Sequence, residues 1–318
     1  MLDILIIGAG PIGLACGLAA KKAGLSFFIV EKGCLVNSLY NYPATMTFFS
    51  TSERLEIGGV PFISVNKQPN RNEALEYYRR VALDNKLPIN LFEEIIDIKG
   101  DAESYAITSN KRTYQAKKVI LSTGFYDIAV NLDIPGENLP KVKHYYKDPH
   151  YYAMQNIVVV GSSNSAIDVA LETYRKGAHV TLIIRGDEVS SRVKYWVRPD
   201  IINRIKEGSI TAHFNSSLAA VREAEVDIQT PDGIITIPND FVMAMTGYKP
   251  NFDFLAKLGI NLTKDKFIPQ YNPDTMETNL PGLYLAGVVC GGLDTHLWFI
   301  ENSRIHAEMI IGDIVRKS

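Results

Sequence analysis

The first thirty residues constrain the fold more than any other stretch. Leu2–Ile7 is an apolar run rich in Ile, followed at once by Gly8-Ala9-Gly10-Pro11-Ile12-Gly13. Leu14–Lys22 is dominated by Ala and Leu, carries a Lys pair near its end and is closed by Gly24. Those are helix propensities with a C-terminal glycine. Leu25–Val30 is a second apolar run that ends at Glu31. Strand, glycine turn, helix and strand in that order predict a parallel βαβ unit.

The same grammar returns at mid-chain. Ile157–Val160 is β-branched, Gly161-Ser162-Ser163-Asn164-Ser165-Ala166 follows, and Ile167–Lys176 reads as a helix stopped by Gly177. Val180–Ile184 then ends at Arg185. Two such units predict an α/β protein with two Rossmann-like dinucleotide-binding domains. Tyr105–Thr108 and Thr113–Leu121 read as strands, the second running into Ser122-Thr123-Gly124. Phe241–Thr246 is a buried-looking strand closed by Gly247, Gly282–Gly287 is one more strand and turn, and a last helix starts near Trp298. Crossings near Phe125–Pro135 and Asp240–Pro250 predict a discontinuous first domain, 1–125 with 243–318, and a second of 126–242. The aromatic string His144-Tyr145-Tyr146 to His150-Tyr151-Tyr152 is expected to pack at an inter-domain face.

The two glycine turns predict the ligands. In the first, Gly8 permits a tight turn, Gly10 lets the backbone approach a pyrophosphate, and Gly13 lets helix and strand pack closely. The helix N-terminus at Pro11 and Ile12 turns its free N–H groups toward the phosphates. Glu31, followed by Lys32, stands where ribose hydroxyls would be held. A dinucleotide fold at the very start of a chain, paired with a later one, is the layout of flavoenzymes with two dinucleotides. FAD is therefore expected at the first site, with Thr123-Gly124 and Gly287 as later returns of the chain to it. At the second site Gly161, Ser162, Ser163, Asn164 and Ser165 form a looser fingerprint, in which Ser163 replaces the middle glycine. Arg185 ends the next strand where an NAD site would carry an acid, and Arg192 and Lys194 follow. Cations suit a 2′-phosphate, which predicts NADPH, with Gly247 closing its site.

Composition narrows the partners. Of 318 residues 46% are apolar and 21% charged, and the net charge is −2. A globular enzyme fits that balance, and nothing in it recommends nucleic acid or an anionic membrane as partner. No apolar stretch is long enough for a membrane span, and no basic segment precedes the first apolar run. The three cysteines, Cys16, Cys34 and Cys290, lack metal-ligand or C-x-x-C spacing, so no metal is expected and a reducing cytoplasm fits best.

Particular strings now identify a family. Tyr40-Asn41-Tyr42-Pro43 with Thr47-Phe48-Phe49-Ser50, Ile57-Gly58 with Val60-Pro61-Phe62, and Asn164-Ser165-Ala166-Ile167-Asp168 are the most specific. Arg185-Gly186, Lys194, Trp196 and Phe299-Ile300-Glu301-Asn302 add to them. Over nearly its whole length the chain resembles the low-molecular-weight thioredoxin-reductase fold and, within it, the bacillithiol disulfide reductases of the YpdA type. The resemblance implies that Asn41 lies near the flavin ring, with Thr47 in the same flavin-side stretch, and that Ile95 packs on the adenine. It also implies that Phe299 and Ile300 begin the last helix at the flavin pyrimidine edge, where a helix N-terminus would stabilise negative charge. The implied chemistry is hydride transfer from NADPH to flavin N5, then electrons to a low-molecular-weight disulfide such as bacillithiol disulfide. Enzymes of this fold are commonly dimers, which implies a homodimer or higher homo-oligomer.

One departure bears on mechanism. YpdA-type enzymes commonly carry a cysteine inside the first glycine motif, and here that position is Ile12. Cys290, just after Ala286-Gly287-Val288-Val289, is then the first candidate for a redox thiol, ahead of Cys16 one helical turn beyond Ile12 and of Cys34. His296, in the loop before the last helix, is the candidate proton donor. Without the family thiol two alternatives stand beside the disulfide reductase: a ferredoxin or flavodoxin–NADP reductase of thioredoxin-reductase type, and a redox-sensing flavoprotein without useful turnover.

Overall fold

A computed structural model describes residues 1–101 and 103–317. The chain divides into two compact units, one of residues 1–41, 46–128 and 248–318, the other of 42–45 and 129–247.

The first unit is built on β1 (Leu2–Ile7), α1 (Pro11–Lys22) and β2 (Phe27–Val30). Next come α2 (Asn37–Tyr40), α3 (Ser52–Leu55), α4 (Arg71–Asp84) and β3 (Ile89–Asn90). A hairpin layer follows, β4 (Ile95–Gly100), β5 (Tyr105–Ser109) and β6 (Thr113–Leu121). Strand order is β3-β2-β1-β6-β5-β4. β6 changes partners along its length: Thr113–Ala116 pairs antiparallel with β5, and Val119–Leu121 pairs parallel with β17 (Leu283–Leu285). On its other edge it runs parallel to β1, with Ile7 opposite Leu121. Ile4, Leu5 and Ile6 are fully buried, as continuous apolar strands of parallel sheets are.

The second unit holds β8 (Val142–Lys143), β9 (Asn156–Val160), α5 (Asn164–Tyr174), β10 (His179–Ile183), α6 (Arg198–Lys206), β11 (Thr211–His213) and β15 (Phe241–Ala244). These strands make a parallel sheet of order β11-β10-β9-β15-β8. β12 (Ser217–Val221), β13 (Glu225–Thr230) and β14 (Gly233–Pro238) form an antiparallel sheet beside it. Further elements are β7 (Ile128–Ala129), β16 (Tyr248–Lys249), α7 (Phe252–Lys257), α8 (Ile300–Ser303) and α9 (His306–Lys317), with short 3-10 turns at Pro149–Tyr152 and Val288–Gly291.

Several sequence expectations change here. The crossing expected after residue 242 falls inside β15, whose pairing with β9 carries the second unit on to Gly247. Tyr146 and Tyr152, expected at a face between domains, belong to the second unit's own core with Val159, Ile167 and Leu182. The last helix does not run on from Trp298: α8 is a single turn, and the long helix begins only at His306. Among the described residues no helix is long and apolar enough to cross a membrane.

Candidate functional site

In the first unit, the C-terminal end of β1, the N-terminus of α1 and residues 122–124 meet around the first glycine turn. Gly8 adopts φ +105°, and a Cβ on it would lie 2.5 Å from the Ser122 carbonyl oxygen. A Cβ on Gly13 would lie 1.9 Å from the Gly8 carbonyl oxygen and 2.7 Å from Ser122 Oγ. These two glycines are fixed by contact between helix and strand. Gly10 differs, because a Cβ there would meet nothing within 4 Å. It is also the N-cap of α1 and supplies no side-chain cap. The first-turn N–H groups of a helix have no intrahelical acceptor, so the turn presents donors and room together, which suits an anionic group.

The Glu31 carboxylate braces this turn. It is buried and accepts from the Ala9 N–H at 2.8 Å and from the Gly33 N–H at 2.9 Å, one bond to each oxygen. Burial pushes its pKa up, against those two N–H groups. Each oxygen keeps acceptor capacity, because a carboxylate offers about four lone-pair sites. Lys32 pairs with Asp127 at 2.5 Å. Asn41 closes α2, its amide donating to the Asn37 carbonyl at 2.9 Å. Thr47 forms an isolated bridge with Asn70. Thr123 and Gly124 follow β6 half-buried, Gly124 at φ +73°. Ile95 is buried inside β4 at 8% exposure, which leaves little side chain to meet an adenine.

Gly287 sits on α1. A Cβ on it would lie 3.3 Å from Ile12 Cγ1, and its N–H donates to His306 Nδ1 at 3.1 Å. His306 is 1% exposed and packs edge-on against Trp298. Burial lowers its pKa to about 4, so the ring is neutral, with Nδ1 free to accept. The sequence signal for this residue was its place on the apolar stripe of the last helix with Ile310 and Ile314. Ser122 was equally unassigned, although it clamps the glycine turn through Oγ to the Ile7 carbonyl at 2.9 Å and the Gly8 carbonyl at 3.0 Å.

The candidate redox residues fare differently. Cys290 is buried, and loss of solvent drives its thiol pKa far up. Cys16 is also buried and pushed up to about 12. A thiol held protonated is a poor nucleophile, so the arrangement speaks against Cys290 as an attacking group. Cys34 is partly exposed, its thiol raised by burial and then by Glu31. His296 lies exposed in the loop before α8. Phe299 precedes that single turn, its N–H donating to Asn302 Oδ1 at 2.7 Å, and Ile300 opens it. The helix expected to run on from Phe299 is thus a single turn, Ile300–Ser303.

In the second unit the turn after β9 repeats the scheme. Gly161 is at φ +136°, and a Cβ would lie 2.8 Å from the Met245 carbonyl oxygen and 3.0 Å from Ala166 Cβ. Ser163 caps α5 by position only, without a side-chain cap bond. Ser162 accepts through its carbonyl from the Ser190 N–H at 3.2 Å, and Ser165 is exposed. Asn164 is committed to the 190–194 loop, accepting from the Lys194 N–H at 2.8 Å and donating to the Arg192 carbonyl at 3.1 Å. Lys194, expected as a free cation, is buried and pairs with Asp168 at 2.7 Å. Arg185 and Arg192 are exposed. Gly247, at φ +94°, has open space where a Cβ would stand.

Both glycine turns thus lead from a parallel strand into the N-terminus of a helix. A sequence profile of pyridine nucleotide-disulphide oxidoreductases matches residues 5–287. The chain belongs to this family. Its members are oxidoreductases, and membership implies a flavin and a pyridine nucleotide. The bacilliredoxin reductase Bdr of Bacillus subtilis is 41% identical over 98% of this chain and 97% of its own. The solved bacillithiol disulfide reductase Bdr (YpdA) from Bacillus cereus aligns with a TM-score of 0.97 at 39% identity, covering 100% of this chain and 99% of that one. Thioredoxin reductase from T. acidophilum aligns with a TM-score of 0.78 at 20% identity over 99% of both chains, a likeness of fold. The YpdA resemblance and the two-domain thioredoxin-reductase fold therefore hold.

Proposed function

We propose that the protein is an NADPH-dependent, FAD-containing reductase of a low-molecular-weight disulfide, bacillithiol disulfide being the type. The observation that carries this reading is the Glu31-braced glycine turn with its open Gly10, in a chain so similar to the Bdr enzymes. The first unit would hold FAD, with its pyrophosphate at Gly8–Gly13 and its ribose on Glu31. Asn41, Thr47, Thr123, Gly124, Gly287, Phe299 and Ile300 would flank it. The second unit would hold NADPH at Gly161–Ser165 and Gly247. Arg185 and Arg192 would take the 2′-phosphate, since Lys194 is already paired with Asp168.

FAD, when bound, supplies two-electron exchange between the nicotinamide and the disulfide. In sum NADPH, a proton and one disulfide give NADP⁺ and two thiols. The chain's part is to bind, orient and exclude water. Ser122 and Glu31 rigidify the first turn, and neutral His306 fixes the Gly287 turn against Ile12. We assign the protein to the cytoplasm and expect a homodimer. The test is anaerobic mixing of the protein with NADPH and bacillithiol disulfide. NADPH oxidation well above the blank is expected, and a rate equal to the blank overturns the substrate assignment.

A second reading rests on Ile12 and on the burial of Cys16 and Cys290. With no exposed thiol at the glycine motif, electrons would leave to a ferredoxin or flavodoxin. Stopped-flow mixing of the reduced protein with ferredoxin separates the two: rapid ferredoxin reduction with no disulfide turnover favours this alternative.

A further inference from the structure

Phe92 is placed in a way that folding alone does not reward. It adopts φ +55°, a left-handed conformation that is an outlier for a bulky side chain. The residue is 62% exposed, so burial does not compensate the strain. Strain kept in a well-braced segment is a signature of binding sites. The bracing is explicit. The Phe92 N–H donates to the Gly33 carbonyl at 3.0 Å and the Glu93 N–H to the Glu31 carbonyl at 2.9 Å. Glu93 is itself locked, its carboxylate buried and accepting from Ser109 Oγ at 2.6 Å and Tyr114 Oη at 2.8 Å.

The two backbone bonds tie Phe92 to the loop that carries Glu31. On the FAD reading above, on which this inference rests, Glu31 takes the hydroxyls of the adenosine ribose. The base is bonded directly to that ribose and must lie beside the same loop. Ile95 is buried in β4 and offers it little surface. An exposed aromatic ring next to the loop offers a stacking face that any purine can use.

We propose that Phe92 is the adenine platform of the first dinucleotide site. The backbone bonds from Phe92 and Glu93 to the Gly33 and Glu31 carbonyls hold this exposed residue beside the loop that carries the ribose-binding carboxylate. The protein would thereby favour FAD over flavins without an adenine, by contact with a group remote from the redox ring.

The test uses full-length apoproteins titrated with FAD and read by flavin fluorescence, with thermal midpoints as a control on folding. Phe92→Asn keeps a residue that tolerates the left-handed backbone and removes the ring. Phe92→Trp keeps an aromatic face. We expect Phe92→Asn to weaken FAD binding about tenfold, the size of one lost base–aromatic stack, with an apoprotein midpoint no lower than wild type. Phe92→Trp is expected to bind FAD within about threefold of wild type. Undiminished FAD affinity in Phe92→Asn overturns the proposal, and so does an equal loss in Phe92→Trp. A wild-type apoprotein that takes up no FAD at all strikes the cofactor reading itself, which separates the two failures.

Discussion

Acid should loosen this protein through one buried ring. His306 is 1% exposed, and burial lowers its pKa from 6.5 to about 4. Below the unfolded pKa of 6.5, the unfolded chain takes up a proton at this position that the folded chain refuses. Stability from this group is therefore complete above pH 6.5 and is lost as pH falls from there toward 4. Linkage over the full shift amounts to about 3 kcal/mol, and at pH 5.5 the loss is already about 1.4 kcal/mol. Protonation at Nδ1 would also remove the acceptor that the Gly287 N–H uses at 3.1 Å. Other groups titrate in the same window, and Glu31, raised by burial, acts with the opposite sign. The informative quantity is thus a difference. Urea unfolding of wild type and His306→Asn should be followed from pH 7.5 to 4.5. The asparagine retains an acceptor oxygen but does not titrate. Wild type should lose about 2.5 kcal/mol more than the variant over that range. Parallel pH profiles for the two proteins would refute the reasoning.

The remaining expectations concern the two glycine turns and the cations beside the second. Gly13→Ala puts a methyl 1.9 Å from a backbone oxygen, so little folded protein should survive purification. Gly10→Ala meets open space. It should fold with a thermal midpoint near that of wild type, yet bind FAD about tenfold more weakly in apoprotein titrations, because its methyl occupies the phosphate approach. Arg185→Ala and Arg192→Ala should each raise KM for NADPH about tenfold and leave KM for NADH within about twofold, the loss expected for one charge-assisted bond to phosphate. Equal effects on both nucleotides would remove these arginines from the 2′-phosphate. Lys194→Met strands the Asp168 carboxylate, partner of a buried ammonium. It should lower unfolding stability by about 2 kcal/mol or more, whereas Asp168→Asn with Lys194→Met should recover much of that.

Local patterning and tertiary packing contributed different things. The sequence by itself determined the two βαβ units, because a glycine turn between an apolar strand and a helix works through neighbours in the chain. β6 runs over the same residues, Thr113–Leu121, that the apolar pattern marked. The roles expected of Gly8 and Gly13 are met by contacts a few residues away and by Ser122. The acid at Glu31 and the cation at Arg185 were equally legible, since each follows, within two residues, a strand whose length is set by its own hydrophobic run.

Tertiary structure decided what depends on distant partners. Lys194 looked free in the sequence and is bound to Asp168 on α5. Cys290, the first candidate for a redox thiol from its place after the Gly287 turn, is buried, and loss of solvent drives its thiol pKa up. The last helix looked continuous, and it breaks between Ser303 and His306, where the histidine reaches the Gly287 N–H. The positive φ of Phe92 and its bond to Gly33 depend on a loop much earlier in the chain, which no local pattern encodes. Desolvation and hydrogen bonds between segments far apart in the chain set these outcomes. A local pattern fixes which element forms, but burial and pairing across the fold fix what each side chain is left free to do.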